Sequence, residues 1–135
     1  MDGRVDGGGP RENRHDYWGV VLDAPDGLEL ARFYATLLGW DIASAESGYA
    51  TVAPPDGVAY LGFQSSPEYR PPVWPPSGYA QQMMLHLDFE VSDLAAAVAH
   101  AERLGARLAS VQPQQSVRVL LDPAGHPFCL YVDTV

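Results

Sequence analysis

The chain contains no lysine, a single cysteine (Cys129) and no long apolar run. One cysteine excludes an internal disulfide and any multi-cysteine zinc site, and it fits a reducing cytosol. No stretch approaches the ~20 apolar residues needed to span a bilayer, and the N-terminus lacks the apolar segment of a signal peptide. Positive charge is scarce: 8 arginines stand against 17 acidic residues, for a net charge of −9 and a pI near 4.6. Nucleic acid and anionic membrane surfaces both need clustered cations, so neither is expected as a partner. The absence of lysine resembles a genomic base-composition bias, and no mechanism follows from it. What remains is a 135-residue chain, 47% hydrophobic and 19% charged. That is the size and balance of one globular domain, expected to be soluble and cytoplasmic.

Residues 1–15 are glycine-rich and charged, and read as a disordered N-terminal tail. A single domain is expected over 16–135: module one over 16–64, a proline-rich connector over 65–82 and module two over 83–135. Order begins near Tyr17. Trp18–Leu22 reads as a strand, and Asp26-Gly-Leu-Glu29 as a helix N-cap with a capping-box glutamate. Leu30, Phe33, Leu37 and Leu38 then share one helical face, and Gly39 ends the helix. Tyr49–Ala53 and Val58–Gln64 read as strands around the turn Pro54-Pro55-Asp56-Gly57.

The second half repeats this order. Met83–Val91 reads as a strand, and Ser92 or Asp93 caps a helix with Leu94, Val98, Ala101 and Leu104 inward, stopped by Gly105. Ser116–Leu121 and Phe128–Val132 are strands around Asp122-Pro-Ala-Gly125. Asp26 and Asp93 are 67 residues apart, and Gly39 and Gly105 are 66 apart. Each half reads strand, helix, then three strands, with low identity between halves. The connector holds Tyr69, Trp74 and Tyr79 among five prolines. It is either packing over a sheet edge or dimer contact, or one wall of a ligand pocket.

In the strand containing Leu85–Val91, His86, Asp88 and Glu90 alternate with apolar residues and fall on one face. Water is the ordinary surrounding of such a face. If the sheet curls, the same face lines a cavity, and a histidine with two carboxylates suits chemistry there. In the last strand, Cys129, Tyr131 and Asp133 fall opposite Phe128, Leu130 and Val132; Cys129 also reads as a small core residue. His126 follows the Gly125 turn and reads as a turn residue or a pocket rim. His15, in the tail, and His100, on the helix, read as solvated, and Trp40 as core.

These elements resemble the vicinal oxygen chelate superfamily, in its glyoxalase-like domain branch. The superfamily includes glyoxalase I, bleomycin- and fosfomycin-resistance proteins and extradiol dioxygenases. The resemblance is carried by Val20-Val-Leu-Asp-Ala-Pro-Asp26, Ala31–Trp40, His86–Leu94 and Asp122–Tyr131. It implies an α+β fold: two tandem βαβββ modules forming a curved mixed sheet around a cavity. It implies a homodimer. It also implies four metal-ligand positions, one on the first and one on the last strand of each module. His86 matches the first-strand position of module two, and the last-strand position falls on Cys129. In module one the first falls on Gly19, which has no ligand atom, and the last on Leu61 or Gly62; Gln64 substitutes only with a slipped register. At most two positions carry donors, and catalytic metal sites usually use three protein ligands. Asp88 or Glu90 is a possible third, although strand neighbours two apart point in parallel, ~6.5–7 Å from one another.

Two functions follow. The first is binding of a small aromatic or donor-rich molecule without a cofactor, with Trp74, Tyr79 and Tyr131 stacking and His86, Asp88, Glu90, Arg118 and Cys129 supplying polar contacts. The alternative is a lyase, isomerase or dioxygenase using one divalent metal ion on His86 and Cys129, or His86 as a general base poised by Asp88. Same-face strand neighbours rarely make a close histidine–aspartate contact, which weighs against the metal-free base. The absence of a basic cluster for glutathione weighs against glyoxalase I itself. A purely structural role leaves the polar strand face without a purpose.

Overall fold

The computed structural model describes Pro10, Arg11 and residues 14–133. Residues 1–9, 12, 13, 134 and 135 lie outside the described residues, and most of the tail expected over 1–15 lies there with them. Two residues of that tail are held. Arg11 donates to the Gly57 carbonyl at 2.6 Å, and Arg14 makes a two-bond pair with the buried Asp16 at 2.6 and 2.9 Å.

The chain forms two compact units, Met1–Glu68 and Tyr69–Val135. The first contains β1 (Trp18–Ala24), α1 (Gly27–Leu38), β2 (Asp41–Glu46), β3 (Tyr49–Ala53) and β4 (Ala59–Ser65). The second contains β5 (Leu87–Glu90), α2 (Leu94–Arg103), β6 (Arg107–Leu108), β7 (Val117–Leu121) and β8 (Pro127–Tyr131). Each unit holds one four-stranded mixed sheet, ordered β1-β4-β3-β2 in the first and β5-β8-β7-β6 in the second. In both, the strand before the helix pairs in parallel with the last strand and the other pairs are antiparallel. The repeat inferred from spacing is therefore a repeat of topology.

The helices begin where their capping aspartates place them. Asp26 accepts from the Leu28 and Glu29 amides at 3.0 and 3.3 Å, and Asp93 accepts from the Ala96 amide at 3.0 Å. Both satisfy amides that the first helical turn leaves unpaired. α1 stops at Gly39 in the left-handed conformation, φ 69°. In the second unit the stop is less sharp: Leu104 is the C-cap, one residue past the helix.

The core of the first unit lies between α1 and one face of its sheet. Leu30, Ala31, Phe33 and Tyr34 of α1 are buried with Leu22, Ala50, Val52, Leu61 and Phe63. Tyr34 stacks on Phe63, with ring centroids 5.6 Å apart. The second core is smaller, built on Ala101, Leu120, Phe128 and Leu130.

One expectation is corrected. β5 is four residues long, not Met83–Val91, and Leu85 is 77% exposed rather than packed on a helix. β2 and β6 were not placed by their own patterns; β2 is exposed throughout and β6 has two residues. The connector closes on itself through a Val73–Gln82 bridge, leaving Tyr79 fully exposed and Trp74 partly so. No helix among the described residues is long and apolar enough to cross a membrane.

Candidate functional site

Strand pairing fixes which side chains share a face, because directly opposed residues point the same way. In the second unit Asp88 opposes Cys129 and Glu90 opposes Tyr131, while Val119 and Val117 oppose these two across β7. Asp88, Glu90, Cys129 and Tyr131 therefore lie on one face, opposite to the face that buries Leu120, Phe128 and Leu130. Arg118 opposes Leu130 and so lies on the other face, away from Cys129 and Tyr131. Its guanidinium donates to the carbonyls of Gln114, Gln115 and Val117 at 3.1, 3.0 and 2.8 Å. It serves the loop before β7 and is not brought to the polar face. Trp74 and Tyr79 are in the connector, outside the strands that form that face.

His86 reaches the face by a local irregularity. It precedes the first ladder residue of β5, Leu87, so strand alternation does not hold it parallel to Asp88. Its Nε2 lies 3.1 Å from Asp88 Oδ1, a close contact that simple alternation argued against. The Cys129 thiol also hydrogen-bonds Asp88. Burial first, then the charge of Asp88 and this bond, push the thiol up to about 11. One ligand atom from each of His86, Asp88 and Cys129 lies within 4.8 Å of the other two.

His126 is a turn residue. Its amide and that of Ala124 donate to Asp122 Oδ1 at 3.0 and 2.9 Å, and Asp122 is buried. Its ring lies 5.4 Å from that of Tyr69, whose hydroxyl donates to the Ala124 carbonyl at 2.7 Å.

The first unit carries a feature that the sequence reading missed. A pocket of about 630 Å³ opens on the sheet face away from α1, lined by Arg11, Tyr17, Ala43, Tyr49, Thr51, Ala53, Pro55 and Tyr60. Alternation in β3 sends Tyr49 and Thr51 to this face and Ala50 and Val52 to the core. Burial and the neighbouring Tyr60 hold the Tyr49 phenol above its ordinary range. The Arg11 guanidinium lies over the Tyr17 ring at 5.2 Å, and the Tyr17 hydroxyl donates to the Arg11 carbonyl. The available signal was the alternation of Tyr49 and Thr51 with alanine and valine, beside two glycines on neighbouring strands.

Those glycines stand where the resemblance placed the module-one ligand positions. Val21 opposes Gly62 as Asp88 opposes Cys129, and each residue of the first pair lies 67 before its counterpart in the second. The counterpart of Cys129 is thus Gly62, not Leu61. A Cβ on Gly62 would meet the Tyr49 hydroxyl at 2.5 Å, and one on Gly19 would meet the Tyr60 ring at 2.6 Å. Aromatic side chains take the space where ligand side chains would start. A metal held at all four superfamily positions does not fit this chain.

A family model described as "Glyoxalase-like domain" matches residues 19–131. Solved structures of similar fold include a glyoxalase/bleomycin resistance protein/dioxygenase family enzyme from Burkholderia phytofirmans, at 18% identity, 84% coverage of this chain and 95% of that one, and TM-score 0.62. The fosfomycin resistance protein FosX from Mesorhizobium loti is 14% identical, with 87% and 92% covered and TM-score 0.60. FosX from Listeria monocytogenes is 10% identical, with 87% and 91% covered and TM-score 0.64. No curated protein is significantly similar in sequence.

Proposed function

The chain belongs to the glyoxalase-like domain family, and from that premise we propose that it binds a small aromatic molecule in the tyrosine pocket of its first unit, by contacts that need no metal ion. One observation carries this reading: three tyrosines and an arginine line a concave space of about 630 Å³. That volume falls within the ~300–1,000 Å³ of small-molecule sites. Tyrosines offer flat contact area at small entropic cost and a hydroxyl that fixes orientation. Arg11 adds a cation that donates to the Gly57 carbonyl and lies over the Tyr17 ring, and its guanidinium carries further N–H donors for an acceptor on the ligand.

The metal-assisted alternative in its four-position form has no donors at Gly19 and Gly62, so the binder is favoured. The reading extends to a homodimer. β5 is an edge strand, and Met84 and Leu85 beside it are 74% and 77% exposed, apolar surface that a second copy would cover. Sedimentation of the purified chain tests this, and a monomer at all concentrations refutes it.

The ligand test is a thermal-shift screen against a library of aromatic fragments, run on wild type and Tyr60→Ala. A saturating fragment at a hundred times its Kd raises stability by about 2.7 kcal/mol. The expected result is a set of hits lost in Tyr60→Ala. An empty screen, or hits that survive in Tyr60→Ala and Tyr49→Ala alike, overturns the proposal.

A further inference from the structure

The tyrosine pocket carries a charge asymmetry that its aromatic walls do not explain. The chain as a whole is acidic, with 17 aspartates and glutamates against 8 arginines. Among the described residues that line the pocket, Arg11 alone is charged at neutral pH, and none carries a carboxylate. Strand pairing puts Glu46 on the same sheet face as Tyr49, and Asp23 there through Gln64, but both are exposed and neither is a lining residue. Asp56, in the turn beside Pro55, is exposed as well. We propose that the pocket takes an aromatic carboxylate, with its ring among the tyrosines and its anionic group on the Arg11 guanidinium. This inference rests on the pocket reading above and adds to it the charge class of the ligand.

Arg11 is held before any ligand arrives. Its carbonyl accepts from the Arg14 amide at 3.2 Å and from the Tyr17 hydroxyl. Arg14 is tied in turn to the buried Asp16 by bonds of 2.6 and 2.9 Å. The Arg11 guanidinium lies over the Tyr17 ring at 5.2 Å, and its Nη1–H donates to the Gly57 carbonyl at 2.6 Å. Backbone and side chain are therefore both anchored, and a cation so held loses little rotamer freedom on binding. The bond to Gly57 uses Nη1. The Nε–Nη2 edge presents the parallel N–H groups that match a carboxylate. Arg11 is half-buried, so its attraction for an anion is screened less than that of a fully exposed cation. Tyrosine faces alone would also suit a ligand cation, and the guanidinium opposes that choice by repulsion within the same pocket.

The test is isothermal titration calorimetry with probes that share one ring system: naphthoate, the neutral naphthamide and the cation naphthylmethylamine. Naphthoate should bind tighter than naphthamide by about tenfold or more, the scale of a hydrogen bond to a charged group, and naphthylmethylamine should bind weakest. Arg11→Gln should erase the preference, so that naphthoate and naphthamide bind alike. Arg11→Lys should keep part of it, as a point charge without the fork. Arg107→Gln removes the same charge from an exposed strand of the other unit and should leave the preference intact. Tyr60→Ala should weaken naphthoate and naphthamide together, which reports the pocket and not the charge. Thermal melts confirm that each variant is folded. The proposal is overturned if naphthamide or naphthylmethylamine binds as tightly as naphthoate, or if the preference for naphthoate survives Arg11→Gln. The tyrosine pocket then stands wherever Tyr60→Ala still weakens the probes, and only its charge class fails. If none of the probes binds, the pocket reading falls together with this one.

Discussion

Gly62→Ala probes whether Tyr49 has taken the place of a ligand side chain. The new Cβ would sit 2.5 Å from the Tyr49 hydroxyl, 3.1 Å from Val21 Cγ2 and 3.2 Å from Tyr49 Cζ. Overpacking of this kind costs about 1–3 kcal/mol. Alanine recovers about 0.4–1 kcal/mol by restricting the unfolded chain, so the net loss is about 1–2 kcal/mol. Tyr49→Phe removes the atom at 2.5 Å and leaves contacts that are tight but tolerable. In that background the same alanine should cost less than about 1 kcal/mol. The coupling between the two changes is then about 1 kcal/mol, above the ~0.3–0.5 kcal/mol scatter of independent sites. Urea unfolding of the four proteins measures it. Tyr49 lines the pocket, so Gly62→Ala should also weaken any aromatic ligand found there. A coupling below about 0.5 kcal/mol would show that Tyr49 does not fill that space and would refute the reasoning.

The remaining expectations concern single groups. Cys129 is the chain's one thiol, so alkylation reports it without ambiguity. Its rise from 9.0 to about 11 leaves about a hundredfold less thiolate near pH 8 than an ordinary thiol. The greater nucleophilicity of a high-pKa thiolate recovers about six- to tenfold, so the protein should alkylate about tenfold more slowly than a free thiol, and Asp88→Asn should speed it. A rate profile turning at the ordinary thiol value would contradict this. Because the folded value is raised, the protonated thiol's contribution to stability is present below about pH 9 and is lost as pH rises through about 11; base titration monitored by circular dichroism checks the direction. Asp122→Ala strands the Ala124 and His126 amides and should cost about 1–3 kcal/mol, whereas Asp122→Asn keeps an acceptor and most of the stability. Asp26→Ala should cost about 1 kcal/mol and Asp26→Ser little, because serine also caps; equal losses in chemical denaturation would argue against the cap.

Local chemistry made much of the fold legible. The caps at Asp26 and Asp93, the stop at Gly39 and the alternation of Tyr49–Ala53 act within a few residues, and each appears where the pattern puts it. The 67-residue offset carried the duplicated strand order, because equal spacing of caps and turns implies equal pairing. β2 was not legible by its own pattern: it is exposed throughout, so burial never selected an apolar alternation.

The candidate sites were legible only in part. Alternation placed Asp88 and Glu90 on one face, and Cys129 and Tyr131 on one face, within their own strands. That the two sets share a face is a matter of register between strands 41 residues apart, which only pairing decides. Register also turned Arg118 to the opposite side and assigned the module-one position to Gly62. The approach of His86 to Asp88 depends on where the β5 ladder begins, and the tyrosine pocket on side chains that meet over glycines on other strands. Sequence by itself determined the elements, their order and the duplication, because those follow from interactions between near neighbours. Tertiary structure decided which functional groups meet, because that depends on strand register and on the space that small residues leave for distant large ones.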